Sequence, residues 1–411
     1  MYQPAEQQPD ILEAITVQCY RPIIDGLIEN KRIRLTLNIN GALLELFDKY
    51  NHKDILEKLR LLASEGRIEF TSSAKYHALL PFLNEEEIIR QVTLNNATLE
   101  KYLGNIKPKG FFAPEMAFDE KLIPILSKLG FEWIILDEIS CGGEVGRVDY
   151  SKVHKIKDSN MRVYFRDRRL SNLIMSAVVR SPETLLEAMN DHLGNEKYIV
   201  TAMDIETFGH HRPGLEKMLF NVFRTEEFEL IQISDVEKYY TDIKEIVPTK
   251  ATWASSKQDI ESGSQFLSWS DPENTIHKWQ WAFTDLVLKE VYAMDKKHSR
   301  YEMVRNKMDI ALASDHFWWA SAKPWWSVEM IEDGAFRLLD TLRYIPDVSR
   351  EKLDKGRDYY EHIIATAFNW QRTGKIRQMM MQQGSILRIP FKDRTIGKGG
   401  AEEGVYNAFI D

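Results

Sequence analysis

Ala202-Met203-Asp204-Ile205-Glu206-Thr207-Phe208-Gly209-His210-His211 is the stretch on which the fold turns. Just before it, Tyr198-Ile-Val-Thr-Ala-Met203 reads as a short buried strand that runs directly into two carboxylates, a glycine and two imidazoles. In parallel α/β proteins, chemistry sits at the carboxyl ends of strands. Acids two apart on an extended segment face the same way, so Asp204 and Glu206 can share one pocket.

Outward from this point the chain alternates strands and helices. Strands are expected at 34–40, 67–73, 109–114, 131–136, 161–165, 198–204 and 228–232. Helical periodicity fills 41–64, 85–103, 119–129 and 213–225, with Asn84 as a cap before Glu85. Ser181-Pro-Glu opens another helix with a cap and a first-turn proline. Strand–helix alternation of this kind builds a parallel sheet, open or closed. Polar residues recur where strands stop: Asn38, Asn40, Glu115, Asp137, Arg166 and Asp204. In a closed barrel these converge on one rim. From about 275 the pattern turns helical (275–311, 327–343, 349–373), and a strand returns only at Ser385-Ile-Leu-Arg-Ile389. The expected division is a catalytic barrel over 1–270 and a helical domain over 271–411.

Composition sets the limits. The 411 residues are 44% hydrophobic and 28% charged, which is globular. A net charge of −8 argues against a general nucleic-acid binder. No apolar run approaches the roughly 20 residues of a membrane span. Cys19 and Cys141 are the only cysteines, the N-terminus lacks a signal-peptide core, and a cytoplasmic setting is expected. Most of the 10 Trp, 16 Tyr and 19 Phe belong to a core, but flat aromatic rings also stack on the apolar faces of sugars.

Three blocks together resemble glycoside hydrolase family 57, the amylase-like group. Gly66-Arg-Ile-Glu-Phe-Thr-Ser-Ser-Ala-Lys-Tyr-His77-Ala-Leu-Leu-Pro81 is similar to the family's second conserved region. Gly110-Phe-Phe-Ala-Pro-Glu115 is similar to the third, whose Pro-Glu carries the nucleophile. Met203-Asp204-Ile-Glu206-Thr-Phe-Gly-His-His211 is similar to the fourth, whose Asp is the acid/base. Ala313-Ser-Asp315-His316-Phe317-Trp318-Trp319 is a weaker match to the fifth. The first region, a His-x-His-Gln-Pro type strand, is not matched. The chain opens Met1-Tyr2-Gln3-Pro4, with Tyr2 where the last His would be, so the first barrel strand is expected to be missing or cut short.

The resemblance implies a distorted seven-stranded (β/α) barrel followed by a C-terminal helical bundle, and retaining cleavage of α-glucosidic bonds without metal or cofactor. Glu115 would be the nucleophile and Asp204 the general acid/base. Retaining chemistry needs two carboxyl groups roughly 5–5.5 Å apart across the scissile bond. His77, Glu206, His211, Arg166, Trp253, Asp315 and His316 would contact the α-glucan. Four of these have a plainer reading: a core histidine for His77, a structural acid for Glu206, a surface turn for Arg166, core packing for Trp253. The same acids serve a 4-α-glucanotransferase, and a glucan-binding relative without turnover is a third reading. A metal-dependent deacetylase on a similar barrel would need an Asp-Asp pair after the first strand and a His-x-x-x-His helix, and neither is present.

Overall fold

The computed structural model describes residues 1–189, 197–227, 229–323 and 325–382. They form two compact units, one of Met1–Lys75 and Leu80–Ile260, the other of Tyr76–Leu79 and the described residues of 261–382.

The first unit is built on a parallel array. Strand β1 (Leu35–Asn38) pairs in parallel with β2 (Ile68–Thr71). Ser72 continues β2 and bridges in parallel to Phe111 of β3 (Gly110–Phe112). β3 pairs in parallel with β4 (Trp133–Asp137). β5 (Val153–Ile156) runs antiparallel to β6 (Arg162–Arg166), which itself lies parallel to β4. β7 (Ile243–Ile246) adds in parallel to β5. All residues of β4 are buried, as expected for a strand covered on both faces. Fully burying Ile134 or Leu136 contributes about 1.5–3 kcal/mol each.

The strand expected at 198–204 is reduced to one parallel bridge, Val200 to Arg166. The reason is competition for one edge. β5 takes the start of β6 through His154↔Val163 and Lys155↔Arg162, leaving only its end for Val200. β5 and β7 were not expected, because Val153-His-Lys-Ile156 and Ile243-Lys-Glu-Ile246 mix charge with apolar residues and β7 is largely exposed. Residues 229–232 form no strand, and Phe228 lies outside the described residues, as do 385–389.

Helices follow local rules closely. Glu85–Leu103 begins at Asn84, whose side chain accepts from Glu87 N. Ser181 caps Pro182–Ala188 through a capping box. The periodic stretch 41–64 divides into Gly41–Lys49 and Lys53–Ser64, broken where Asn51 takes φ +63°. An unexpected element is a π-helical turn, Thr16–Tyr20, between helices Pro9–Ile15 and Arg21–Glu29. Met1 lies beside the end of β1: its ammonium donates to Asn38 O (2.8 Å), and Asn40 N donates to Met1 O (3.1 Å).

The second unit is helical. Thr275–Ala293, Tyr301–Ala311, Val328–Tyr344 and Arg350–Thr373 pack around Phe283, Val287, Met308, Leu338 and Ile363. The segment expected as one helix over 275–311 is interrupted after Ala293. Among the described residues no helix is long and apolar enough to cross a membrane.

Candidate active site

In the first unit, parallel pairing sends the ends of β1, β2, β3, β4 and β6 to one side, together with the Val200 segment. Glu115 follows β3. Pro114 turns the chain, and Glu115 itself takes the left-handed conformation (φ +60°, ψ 15°), followed by Met116 at φ +47°. Non-glycine residues pay a strain cost of order 1–3 kcal/mol there, and such strain gathers at functional positions. Segment 251–253 runs antiparallel to 115–118 through the Phe118–Ala251 bridge. That places Trp253 beside Glu115. The indole N–H donates to Glu115 Oε2 (2.9 Å), and Trp253 N donates to Glu115 O (3.4 Å).

Asp204 follows the Val200 segment. Its side chain is open to solvent, yet surrounding protein pushes its pKa up to about 6. Burial is the leading cause and the negative charge of Glu206 the next; the Met1 ammonium and Arg166 pull the other way.

Glu206 is buried (6% exposed) and accepts the hydroxyl proton of Tyr20. Gln3 Nε2 donates to the Tyr20 hydroxyl (3.0 Å) and reaches Glu206 Oε1 at 3.5 Å. Burial and the Glu206 charge hold the Tyr20 phenol well above its usual pKa, so it stays a donor. The π-helical turn clamps the whole loop. Cys19 Sγ donates to Ile205 O (3.1 Å), and Gln18 Oε1 meets His210 Nδ1 at 2.7 Å. At Gly209 (φ +110°) a β-carbon would lie 2.1 Å from Gln18 O, so no side chain fits. A π-turn at a functional loop is a recurrent arrangement. His211 is exposed and its backbone N donates to Glu206 O (2.8 Å); desolvation by the surrounding protein still lowers its pKa.

A buried ion network links the segments that carry the two carboxyl groups. Asp137 (0% exposed) ends β4 and accepts from Arg166 Nη1 (2.8 Å) and Arg168 Nε (2.8 Å). Arg166 also donates to Ala202 O (2.7 Å) and to Asn172 Oδ1 (2.9 Å), and its guanidinium lies 5.9 Å from the Trp253 ring centroid. Arg168 donates to Ser255 O (2.7 Å) and Thr252 O (3.3 Å). Burial disfavours the Arg166 charge, and Asp137 is the main group opposing that. Asp167 caps the helix Arg168–Met175 through Leu170 N.

Of the residues expected at the site, Glu115, Asp204, Glu206, His211, Arg166 and Trp253 lie in the first unit, while His77, Asp315 and His316 lie in the second. His77 is half-buried at φ +58°, with Nδ1 3.0 Å from Ser314 Oγ; burial pushes its pKa down to about 3. Asp315 starts the short helix Asp315–Trp318. His316 is an interior residue there, bonded through Nδ1 to Gln280 and seated against Gly334, where a β-carbon would meet it at 2.2 Å. Trp318, Trp319 and Trp325 form a half-buried cluster with ring centroids 5.2–5.6 Å apart. Sequence reading marked Asp137 as a strand end without a role, and passed over Arg168 and Tyr20. No local pattern marks Tyr20. Arg168 stands in Phe165-Arg-Asp-Arg-Arg, where one of several arginines had to be chosen.

Comparison with known proteins adds a frame. A family model, Glycosyl hydrolase family 57, matches residues 1–249. Alpha-amylase 1 of Dictyoglomus thermophilum is 26% identical over 137 residues, 33% of this chain and 20% of that protein. The chain therefore spans about a fifth of that relative's length. The GH57-type branching enzyme of Pyrococcus horikoshii superposes with a TM-score of 0.66 at 17% identity, covering 89% of this chain and 94% of that one. The 4-alpha-glucanotransferase of Thermococcus litoralis superposes with a TM-score of 0.65 at 18% identity, covering 83% and 58%. At such identities the likeness speaks for the fold.

Proposed function

Because the chain belongs to glycosyl hydrolase family 57, we propose that it cleaves α-glucosidic bonds of α-glucans with retention, Glu115 being the nucleophile and Asp204 the acid/base. The observation that carries this reading is the contrast between the two carboxyl groups. Glu115 is aimed by an indole N–H and a strained turn. Asp204 is solvent-reachable and has its pKa pushed up to about 6. A general acid must hold a proton near the working pH, whereas a nucleophile must be fixed in place.

In this mechanism Glu115 attacks the anomeric carbon while Asp204 protonates the departing glycosidic oxygen. The glycosyl–enzyme then yields to water, from which Asp204 removes a proton. His211 takes a sugar hydroxyl, the buried Glu206 keeps the Asp204 loop in place, Trp253 holds Glu115, and Arg166 holds the backbone before Asp204. Sugar contacts are proposed in the same way for His77 and Asp315, each read from KM after substitution, while the interior His316 is left a packing role. The parallel array closes into a seven-stranded barrel in this reading, with Met1–Gln3 between β1 and the Glu206 loop. A cytoplasmic setting belongs to the same proposal.

Incubation with maltoheptaose tests it. Wild type should release shorter oligosaccharides of retained α configuration. Glu115→Gln and Asp204→Asn should lose at least about 100-fold in kcat. Near-normal turnover by either variant refutes that residue's role. Transfer is the second reading, favoured by the likeness to a glucanotransferase and a branching enzyme. Products longer than maltoheptaose would establish it. Glucan binding without turnover would establish a non-catalytic protein instead.

A further inference from the structure

We infer that Asp137 is a positioning residue that sets the two carboxyl groups in register, acting on each through a different arginine. The inference rests on the reading of Glu115 and Asp204 as the reacting pair.

The paths can be followed atom by atom. Asp137 Oδ2 holds Arg166, whose Nε fixes Ala202 O, two residues before Asp204. Asp137 Oδ1 holds Arg168, whose two terminal nitrogens fix Thr252 O and Ser255 O, on either side of Trp253. Trp253 in turn holds Glu115. One carboxylate, wholly buried at the end of β4, thus governs both the backbone that carries the acid and the loop that aims the nucleophile. Without it the buried Arg166 guanidinium, its side chain 2% exposed, would lose its main counter-ion out of water. A third contact stiffens the centre: the Arg166 guanidinium lies near the Trp253 ring face, so the two paths also touch each other. Preorganised spacing matters here because a misplacement of about 1 Å can cost on the order of 100-fold in rate.

Removing the charge of Asp137 has a second consequence that plain loosening would not have. The charged groups bearing on Asp204 are Glu206, Arg166 and the Met1 ammonium. In Asp137→Asn the Arg166 charge is no longer balanced, and it favours the ionised form of Asp204 more strongly. The acid's titration then moves to lower pH.

The test uses the full chain. Asp137→Asn should lower kcat by about 100-fold with KM changed less than about threefold, and move the basic limb of kcat/KM downward by about one pH unit. Carboxyl carbon-13 NMR, with Asp204→Asn as the assignment blank, reads the same shift without turnover. A wild type that turns over no α-glucan therefore sinks the proposed function, while the Asp137 inference still stands or falls by the titration. Should Asp137→Asn fail to fold, Arg168→Lys keeps the charge but cannot reach Asp137 and both carbonyls together. It should lower kcat, and combining it with Trp253→Phe should cost no more than the worse single change. An unmoved titration in folded Asp137→Asn, or fully additive losses for Arg168→Lys and Trp253→Phe, overturns the inference.

Discussion

The indole of Trp253 donates a hydrogen bond to Glu115 across 138 positions of chain, at 2.9 Å. The contact exists because segment 251–253 lies antiparallel to the strained turn that carries Glu115. It fixes the rotamer of a carboxylate that stands in a left-handed backbone position.

Trp253→Phe keeps an aromatic ring and removes only the N–H. A hydrogen bond to a charged group contributes about 1.5–3 kcal/mol. The variant should lose about 10-fold or more in kcat with a smaller change in KM. Steady-state kinetics on a malto-oligosaccharide check this, and a change confined to KM would assign Trp253 to sugar stacking instead.

Asp204→Asn should be more heat-stable than wild type at pH 7.5 and no different near pH 3.5. The sign follows from a folded pKa raised above the unfolded value. The native state binds more protons than the unfolded state between about pH 4 and 6, so ionisation erodes stability as pH rises through that window. Removing the titrating group removes the loss. Thermal melts at the two pH values decide it; an equal or lower Tm at pH 7.5 contradicts the assigned environment of Asp204.

The interior histidines predict acid lability of the opposite sense. Burial pushes His154 and His277 down to about 4 and His316 to about 3. Their neutral forms support the fold fully above the unfolded value of about 6.5, and that support is lost as pH falls from there toward 4. His154 is the clearest case, fully buried edge-on to Phe165 with neither ring nitrogen bonded among the described residues. His154→Phe should flatten the fall of Tm between pH 6.5 and 4.5. An unchanged slope would show that other groups drive acid unfolding.

Gly209→Ala places a methyl 2.1 Å from Gln18 O at a backbone angle that side chains rarely adopt. The expected cost is about 2 kcal/mol or more, with loss of activity through the Asp204 loop. Urea denaturation measures it, and wild-type stability would mean that the π-helical turn yields easily.

Tyr20→Phe removes the hydroxyl donor of the buried Glu206 and should destabilise by about 1–3 kcal/mol. A melt indistinguishable from wild type would show that Gln3 alone satisfies the carboxylate.

Much of this molecule could be read from local pattern. Asn84 and Ser181 announce their helices because a capping side chain acts within one turn. β4 stands out because a strand covered on both faces is continuously apolar. Gly110-Phe-Phe-Ala-Pro-Glu115 and Met203-Asp204-Ile-Glu206 mark their acids because each motif lies within a few residues. β7 escaped such reading, since an exposed edge strand of Ile-Lys-Glu-Ile carries no burial signal.

Order along the chain therefore determined β1 to β4 and β6, the capped starts of several helices, and the places of the two acids in their motifs. Tertiary structure alone decided that β5 would claim the start of β6 and shrink the 198–204 strand to a bridge. It also decided that Asp137 would gather Arg166 and Arg168, and that Tyr20, 186 positions away, would serve Glu206. Periodicity and capping are local energies that each segment carries with it. A buried side chain's partner depends on which distant strands fold side by side, and no short window of sequence contains that information.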